Sequence, residues 1–129
     1  MSIEKEAIKY VIKYLRKKGF DVGDVSRKRG YNGYDLLAQK KRKKPVRIEV
    51  KGCTRPWGIP DPYITEFDNQ KSLVADFMYV VYFLGNSRPA LYIIPRKAFK
   101  PEFIKPKCGY RISSRFKNEQ NLKKYKQIP

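Results

Sequence analysis

Two acidic side chains and one basic side chain, Asp35, Glu49 and Lys51, flank a run of basic residues at positions 40–44. Apolar residues on both sides of this run predict a β-hairpin with a positively charged turn. A turn that is symmetric about Arg42 places Asp35 opposite Glu49, with Cβ atoms roughly 4.5–5.5 Å apart. Strand alternation places Lys51 on the same face as Glu49. The sequence therefore predicts that these three charged groups converge.

Two carboxylates and an ammonium group on one face are suited to metal-assisted phosphate chemistry. Mg²⁺ is held in proteins by one or two carboxylates together with water and the phosphate oxygens of a substrate. A neighbouring lysine can orient a water molecule or neutralise charge that develops on a phosphate. We therefore expect Asp35 and Glu49 to bind Mg²⁺ or Mn²⁺ and Lys51 to act beside them.

The same residues resemble a known signature. Asp35, followed by the Glu-Val-Lys run at 49–51, resembles the PD-(D/E)XK signature of restriction endonucleases and archaeal Holliday-junction resolvases, with Tyr34 in place of the usual proline. The segments 33–35 and 48–52 also resemble the C-terminal domain of NO VEIN proteins. The resemblance covers roughly residues 4 to 95.

The resemblance implies a metal-dependent nuclease with a restriction-endonuclease-like αβββαβ core. It implies that the backbone carbonyl of Val50 completes the metal coordination and that Lys51 positions or helps to deprotonate the attacking water. Proteins of this kind often carry a further acidic residue on the first helix. Glu4 is the candidate here, because it falls within the arc of the apolar stripe of that helix. The alternative is that Glu4 only complements the helix dipole.

The charge of the chain points to a polyanionic partner. Thirty Lys and Arg residues against twelve Asp and Glu residues give a net charge of +18 over 129 residues. Such a field attracts nucleic acid, and we expect DNA. The alternative is the solvated basic surface of a ribosomal or other assembly protein.

Several other classes of protein are not indicated. No apolar run approaches the roughly 20 residues that a membrane span needs, and no signal peptide is visible. Cys53 and Cys108 have no metal-ligand spacing, and the chain has no histidine. A zinc site is therefore not expected, and whether the two cysteines approach each other is left open. We expect a cytoplasmic protein.

The pattern of apolar residues and breakers predicts a single α/β domain with a mixed central sheet flanked by helices. A first helix begins after Ser2, is apolar at Ile8, Val11, Ile12 and Leu15, and ends at Gly19. The order then predicted is a strand over 20–26, the hairpin, a helix over 65–74, a strand over 77–84 and a strand over 90–94.

The boundaries of this domain follow from the same pattern. The core is expected over about residues 2–95, and a basic extension over about 96–129. We expect residues 115–126 of this extension to be a solvated tail with a short exposed helix. The alternative is that it enlarges a nucleic-acid surface. The proline-rich segment that begins at Gly52 is expected to end the second hairpin strand, because proline removes hydrogen bonds from a sheet.

Basic and aromatic residues in three loops and one predicted helix are candidates for nucleic-acid contacts. Trp57 has an alternative role as a core residue that covers the sheet. The full set is Arg27, Lys28, Arg29, Tyr31, Lys40, Lys41, Arg42, Lys43, Arg55, Trp57 and Lys71.

Two further hypotheses come from other functional classes. The chain could be a catalytically silent nucleic-acid-binding module, or a basic structural protein in which Asp35, Glu49 and Lys51 form an ordinary salt bridge. Related nucleases often pair two protomers, so a homodimer is possible. The type of nucleic acid, the cleavage specificity and the oligomeric state are left open by the sequence.

Overall fold

The structure is a computed structural model that describes residues 2–26, 33–60, 67, 72–85, 88–106 and 110–127. Among these residues, short 3₁₀ turns join helices and strands in the C-terminal part. The helices and strands are α1 (Ile3–Lys17), β1 (Asp21–Asp24), β2 (Leu36–Gln39), β3 (Val46–Cys53), β4 (Phe77–Tyr82), β5 (Ala90–Pro95), β6 (Ile104–Pro106), β7 (Tyr110–Ile112), α2 (Glu119–Leu122) and β8 (Lys126–Gln127).

The described strands form a mixed central sheet in the order β1-β2-β3-β4-β5-β8, with β6 and β7 as a separate pair. Strands β3 and β4 are parallel, and the other neighbours in the central sheet are antiparallel. Helix α1 packs on one face of this sheet, and the C-terminal segment packs on the other. The predicted α/β class with a mixed sheet is confirmed. No helix in the described part of the chain is long and apolar enough to span a membrane.

Helix α1 begins and ends where the sequence predicts. The side chain of Ser2 accepts a hydrogen bond from the backbone N–H of Lys5 at 3.2 Å, which caps the first turn. Gly19 follows the helix with φ +91°, a conformation that favours glycine and stops the helix. Ile8, Val11 and Leu15 are buried as predicted, whereas Ile12 is only partly buried. Burial of this apolar stripe holds α1 against β3.

The hairpin has the predicted register. Leu36 pairs with Ile48 and Ala38 pairs with Val46, so the turn is centred on Arg42, whose φ is +67°. Asp35 lies in the bend that precedes β2, and its N–H donates to the carbonyl of Ile48 at 2.9 Å. This hydrogen bond continues the register by one residue and brings Asp35 level with the middle of β3.

The expectation that the strand ends at Gly52 is wrong. Strand β3 continues through Gly52 and Cys53, because β4 pairs with it in parallel as far as Cys53 and Tyr82. A Cβ atom on Gly52 would lie 2.7 Å from Cγ2 and 2.8 Å from the carbonyl oxygen of Ile3. The missing side chain therefore lets the first turn of α1 rest on β3.

The helix predicted over 65–74 is wrong at its described residues. Phe67 and Leu73 form an isolated antiparallel bridge, and Val74 lies in a bend. Both bridged side chains are buried, with 2% and 1% of their surface exposed, so an extended pairing places them in the core. The rest of the predicted helix, including Lys71, mostly lies outside the described residues. The strand after it, β4, is buried as predicted.

The expectation of a solvated C-terminal tail is also wrong. Strand β8 pairs with β5 and extends the central sheet. Apolar residues spaced between the lysines point inward and complete the core on that face, while the predicted exposed helix is reduced to the four residues of α2. The buried residues of this segment include Phe99, Ile104, Ile112, Phe116 and Leu122.

Candidate active site

Glu49 and Lys51 form a buried ion pair on the sheet face opposite α1. Glu49 and Lys51 are 5% and 7% exposed, and the Lys51 ammonium nitrogen lies 3.3 Å from Oε2 of Glu49. Both side chains leave β3 on the same side, whereas Ile48 and Val50 face α1. Desolvating two charges costs free energy, which is offset only when they are paired closely. The pair is therefore held in one geometry by its surroundings.

The carboxyl group of Asp35 joins this pair. Its Oδ2 accepts a hydrogen bond from the backbone N–H of Val50 at 2.9 Å, and its other partners include the carboxyl group of Glu49. Burial raises the pKa of Asp35 above its ordinary value, and the charge of Glu4 adds to this rise. The hydrogen bonds from Val50 and Glu49 and the charge of Lys51 act in the opposite direction. Two carboxyl groups thus share one site.

Glu4 acts on Asp35 through its charge. It is exposed in the first turn of α1, and its charge acts on Asp35. The close contact between Ile3 and Gly52 explains this position, because it holds the start of α1 next to the strand that carries Lys51. Glu4 also lies where a carboxylate complements the helix dipole, so both predicted roles are compatible with its place.

The main chain of Val50 faces the same point. The N–H and C=O groups of one residue in a strand point to the same side. Because the N–H of Val50 donates to Asp35, its carbonyl also faces the side of β3 on which Asp35 lies. The backbone oxygen predicted as a ligand thus lies on the same side of β3 as Asp35.

The donor set of this site fits a hard divalent cation. Among the described residues there is no group of three or more His, Cys, Asp or Glu side chains that could hold a metal ion without help. Asp35 and Glu49 supply two neighbouring carboxyl groups. Mg²⁺ is commonly held by one or two carboxylates, with water and substrate phosphate supplying the other oxygens. The residues present therefore match a site that is completed by its substrate.

The basic turn of the hairpin lies away from the three charged residues. Lys41, Arg42 and Lys43 are exposed, and the ammonium group of Lys40 lies 4.8 Å from the centre of the Phe20 ring. Five residues of extended chain, at about 3.4 Å each, separate Asp35 from Lys40. The turn is thus a separate positive surface at the far end of β2 and β3.

Trp57 and Arg55 follow β3 and have different surroundings. Arg55 is exposed. Trp57 is half-buried, and its ring makes edge-to-face contacts with Tyr82 and Tyr92 at centroid distances of 6.5 and 5.9 Å. Trp57 therefore covers the sheet, as one prediction proposed, while part of the indole still reaches solvent.

Cys53 is a buried structural thiol. Its Sγ donates a hydrogen bond to the carbonyl oxygen of Gly58 at 2.8 Å, which fixes the loop after β3. Burial raises the pKa of Cys53 to about 11, so the thiol is neutral at pH 7. Cys108 lies outside the described residues, as do the predicted nucleic-acid contacts Arg27, Lys28, Arg29, Tyr31 and Lys71.

Sequence reasoning missed a second charged cluster, at the beginning of β3. Asp76 accepts a hydrogen bond from the backbone N–H of Arg47 at 2.8 Å, and another from the guanidinium of Arg96 at 2.9 Å. Burial alone would raise the pKa of Asp76, but hydrogen bonds and charges from the two arginines hold it below its usual value. Only the parallel pairing of β3 and β4 brings Arg47 to Asp76, and no local pattern signals it.

A family model described as "Protein NO VEIN, C-terminal" matches residues 3–94. Comparison with curated proteins gives no match. Among solved structures, Hjc, a Holliday junction resolvase from the archaeal hyperthermophile Archaeoglobus fulgidus, is 16% identical. The alignment covers 90% of this chain and 88% of that chain, with a TM-score of 0.47.

The family match confirms the resemblance carried by residues 33–35 and 48–52. It includes Asp35, Glu49 and Lys51, and it ends within β5, before the segment that completes the core on the other face. Because the matched residues span well over half of the chain, this protein belongs to the family of the NO VEIN C-terminal domain.

Proposed function

We propose that this protein is a metal-dependent nuclease that hydrolyses phosphodiester bonds of nucleic acid, with DNA as the expected substrate. The observation that carries the proposal is the convergence of Asp35, Glu49 and Lys51 in one largely buried cluster. A fold could reach the same stability without two carboxyl groups side by side, since such groups resist being ionised together. Their proximity is explained if they bind a cation.

In this proposal Asp35, Glu49 and the carbonyl of Val50 hold Mg²⁺ or Mn²⁺, and the charge of Glu4 strengthens the field at the site. A cation held by these groups would lower the pKa of a bound water molecule and would supply positive charge to the phosphate. The hydrogen bond from Val50 fixes one oxygen of Asp35 and orients the carboxyl group before the cation arrives. Such orientation reduces reorganisation during the reaction.

Lys51 is proposed to act on the phosphate and on the attacking water. Its ammonium group is desolvated, and Glu49 holds it at 3.3 Å. A compact ammonium group in such a place can hold a water molecule in line with the phosphorus and offset charge that develops on the phosphate oxygens. In this proposal the scissile phosphate lies beside Asp35 and Lys51.

The surface charge supports a nucleic-acid substrate. The net charge of +18 favours binding to a polyanion. The exposed turn residues Lys41, Arg42 and Lys43 are proposed to contact backbone phosphates away from the site of cleavage. Binding through such contacts weakens steeply as the salt concentration rises.

The buried ion pair between Glu49 and Lys51 also favours a second candidate, a nucleic-acid-binding module in which the pair is purely structural. The two candidates differ in their response to metal. A nuclease site binds Mn²⁺ and loses that affinity in Asp35→Ala, whereas a structural ion pair shows no Mn²⁺ binding by calorimetry in either protein.

The test of the proposal is cleavage of labelled nucleic acids in Mg²⁺ or Mn²⁺. The panel contains single-stranded, duplex, flapped and four-way-junction DNA with matched RNA. Lys51→Ala is compared with Lys105→Ala, which removes an equal charge from an exposed position on β6. We expect Lys51→Ala to abolish cutting and Lys105→Ala to retain it, with similar binding. Salt-sensitive binding with no cutting in either metal would support the silent module instead.

A further inference from the structure

A cleft of about 330 Å³ lies between the loop after β3 and the C-terminal segment. Its walls include Trp57, Tyr82 and Tyr92, and its rim includes Glu119 of α2 and Lys126 of β8. The family model ends at residue 94, so both rim residues lie outside the part of the chain that it matches. The volume is at the lower end of the roughly 300–1,000 Å³ that small-molecule sites occupy. It suits one base with its sugar and excludes a duplex.

The aromatic walls form a corner and not a stack. Tyr82 and Tyr92 meet edge to face with ring centres 5.1 Å apart and planes at 81°. Trp57 stands at 90° to Tyr92 and at 60° to Tyr82. The backbone of Trp57 has φ +61°, a left-handed conformation that side chains other than glycine rarely adopt. Because the three rings meet at steep angles, a planar group can lie against one ring while its edge meets the others.

Tyr82, which lines the cleft, carries a buried polar atom without a match among the described residues. Tyr82 is 2% exposed, and its hydroxyl has no hydrogen-bond partner among the residues that the structure describes. Leaving a buried hydroxyl without a partner costs free energy. Burial raises the pKa of Tyr82 well above its ordinary value, so the group is a neutral donor and acceptor at pH 7. A ligand with polar atoms on a flat ring would satisfy it.

The register of the sheet relates this cleft to the candidate active site. Lys51 pairs with Val80, Val80 pairs with Tyr92, and Tyr92 pairs with Lys126, so these residues form one row across four strands. Lys51 and Tyr92 are two strands apart, which at about 4.8 Å per strand is about 10 Å. This is close enough for one nucleic-acid strand to reach both places.

We propose that the cleft binds an unpaired nucleobase of the strand that is cut beside Lys51. The proposal rests on the proposed function, because it assigns the substrate of that site a single-stranded segment. The base lies against Trp57 or Tyr92, and the Tyr82 hydroxyl bonds to its edge. The carboxylate of Glu119 accepts a hydrogen bond from an exocyclic amino group of the base. This favours cytosine, adenine or guanine over thymine, which has no amino group. Lys126 at the rim contacts the backbone phosphate.

The charges of the cleft favour a base over an organic cation. Aromatic rings with a nearby carboxylate also bind ammonium groups. Lys126 stands at the same rim, and the chain carries a net charge of +18, which repels cations and attracts nucleic acid.

The fluorescence of Trp57 provides the test, because the chain has no other tryptophan. The full chain is titrated in EDTA with three single-stranded DNA oligomers of about 12 nucleotides, within the usual range of site sizes. These are a cytosine oligomer, a thymine oligomer and an abasic oligomer of equal length. We expect the cytosine oligomer to quench Trp57 and to bind about tenfold more tightly than the abasic oligomer. Equal quenching by the cytosine and abasic oligomers would overturn the proposal.

Conservative variants test the individual contacts. Tyr82→Phe keeps the ring and is expected to weaken binding of the cytosine oligomer about three- to tenfold, without changing binding of the abasic oligomer. Tyr10→Phe on α1 removes a hydroxyl on the opposite face and serves as the control. Glu119→Gln is expected to remove the preference for cytosine over thymine. If Tyr82→Phe behaves as Tyr10→Phe does, no base bonds to that hydroxyl.

The results separate this proposal from the proposed nuclease. Quenching by the cytosine oligomer without cleavage of any substrate would uphold the base pocket and overturn the phosphodiesterase. Cleavage without quenching would uphold the phosphodiesterase and overturn the pocket. Quenching by tetramethylammonium, with no response to the cytosine oligomer, would replace the base with an organic cation.

Discussion

Near the beginning of β3, Asp76 lies between Arg47 and Arg96, whereas at its middle two carboxyl groups, Asp35 and Glu49, lie beside Lys51. The first cluster is partly exposed, with 33% of the Asp76 side chain and 39% of the Arg96 side chain accessible. The Glu49 and Lys51 side chains are 7% and 8% accessible. The pKa of Asp76 is lowered, and that of Asp35 is raised by burial.

The difference separates a structural cluster from a candidate reactive one. Asp76 is supplied with donors: Arg47 and Arg96 donate to its carboxylate, and Arg96 also donates to the carbonyl of Ala75. The negative charge there is satisfied by the protein itself. Asp35 is ionised only against the cost of burial and the charge of Glu4. A carboxyl pKa perturbed by burial and by a neighbouring charge is characteristic of functional sites.

The largest expected effect comes from Glu49→Gln. The amide keeps the shape of the side chain but removes a metal ligand and the charge that orients Lys51. We expect kcat/KM for cleavage to fall by about 10³-fold or more, equivalent to about 4 kcal/mol. The measurement is cleavage of the best substrate in Mg²⁺, with far-UV circular dichroism as a check that the variant is folded. Retention of activity within about tenfold of the natural protein would contradict the assignment of Glu49.

The matched change in the other cluster is Asp76→Asn. The arginines lose a charged acceptor, so we expect the free energy of unfolding to fall by about 1–2 kcal/mol. Cleavage per folded molecule should be unchanged, because the charge of Asp76 is already engaged by Arg47 and Arg96. Chemical denaturation and the cleavage assay together check this. A large loss of activity with normal stability would show that the two clusters are not separate.

The two carboxyl groups should also give opposite dependences of stability on pH. The pKa of Asp76 is lowered in the fold, so its stabilisation is fully present above the unfolded value of about 4 and is lost as the pH falls through the folded pKa. The pKa of Asp35 is raised, so its ionisation costs stability above the folded pKa, and this cost disappears as the pH falls toward the unfolded value.

The corresponding experiment follows thermal unfolding against pH in EDTA. Asp76→Asn should lower Tm at pH 7 and differ little from the natural protein once the pH is below the folded pKa of Asp76. Asp35→Asn should raise Tm at pH 7 by a few degrees, because the amide can still accept the hydrogen bond from Val50. A lower Tm for Asp35→Asn at pH 7 would mean that the buried carboxylate stabilises the fold.

The smallest expected effect is that of Glu4→Gln. Glu4 is exposed and acts through its charge, so we expect Mn²⁺ affinity to weaken only about two- to fivefold. The effect should shrink as salt screens the interaction. Glu6→Gln, a change of equal charge on the same exposed turn, is the control. Titration calorimetry at two salt concentrations measures both. Identical Mn²⁺ affinities for the two variants would mean that Glu4 only complements the helix dipole and does not support the metal site.

Local patterns were sufficient to predict that Asp35 and Glu49 lie together, but not what surrounds them. The symmetric turn about Arg42 sets the register of β2 and β3, and this alone brings Asp35 and Glu49 together. The contacts of Asp76 depend on the parallel pairing of β3 with β4, which connects residues far apart in the chain. A strand pairing between residues far apart in the chain leaves no periodic signal in the sequence.

The C-terminal segment was misjudged for a related reason. Residues 115–126 are polar and rich in lysine, which is typical of a solvated tail. Phe116 and Leu122 are nevertheless buried, as is Phe99 earlier in the C-terminal segment, because their side chains pack into the core on one face of the sheet. The aromatic corner at Tyr82 and Tyr92 was missed as well, because strands β4 and β5 were predicted without a pairing register.

The two outer strands of the described sheet have a consequence for self-association. An open strand edge is a template on which another chain can add a strand. Here β8 has two residues, one of them Lys126, and β1 has four residues, with an acidic residue at each end. Short, charged edges oppose such addition. A protein that carries this much β-structure is thereby protected against growing into a fibre, and a dimer of this chain would have to form through side chains instead of a continued sheet.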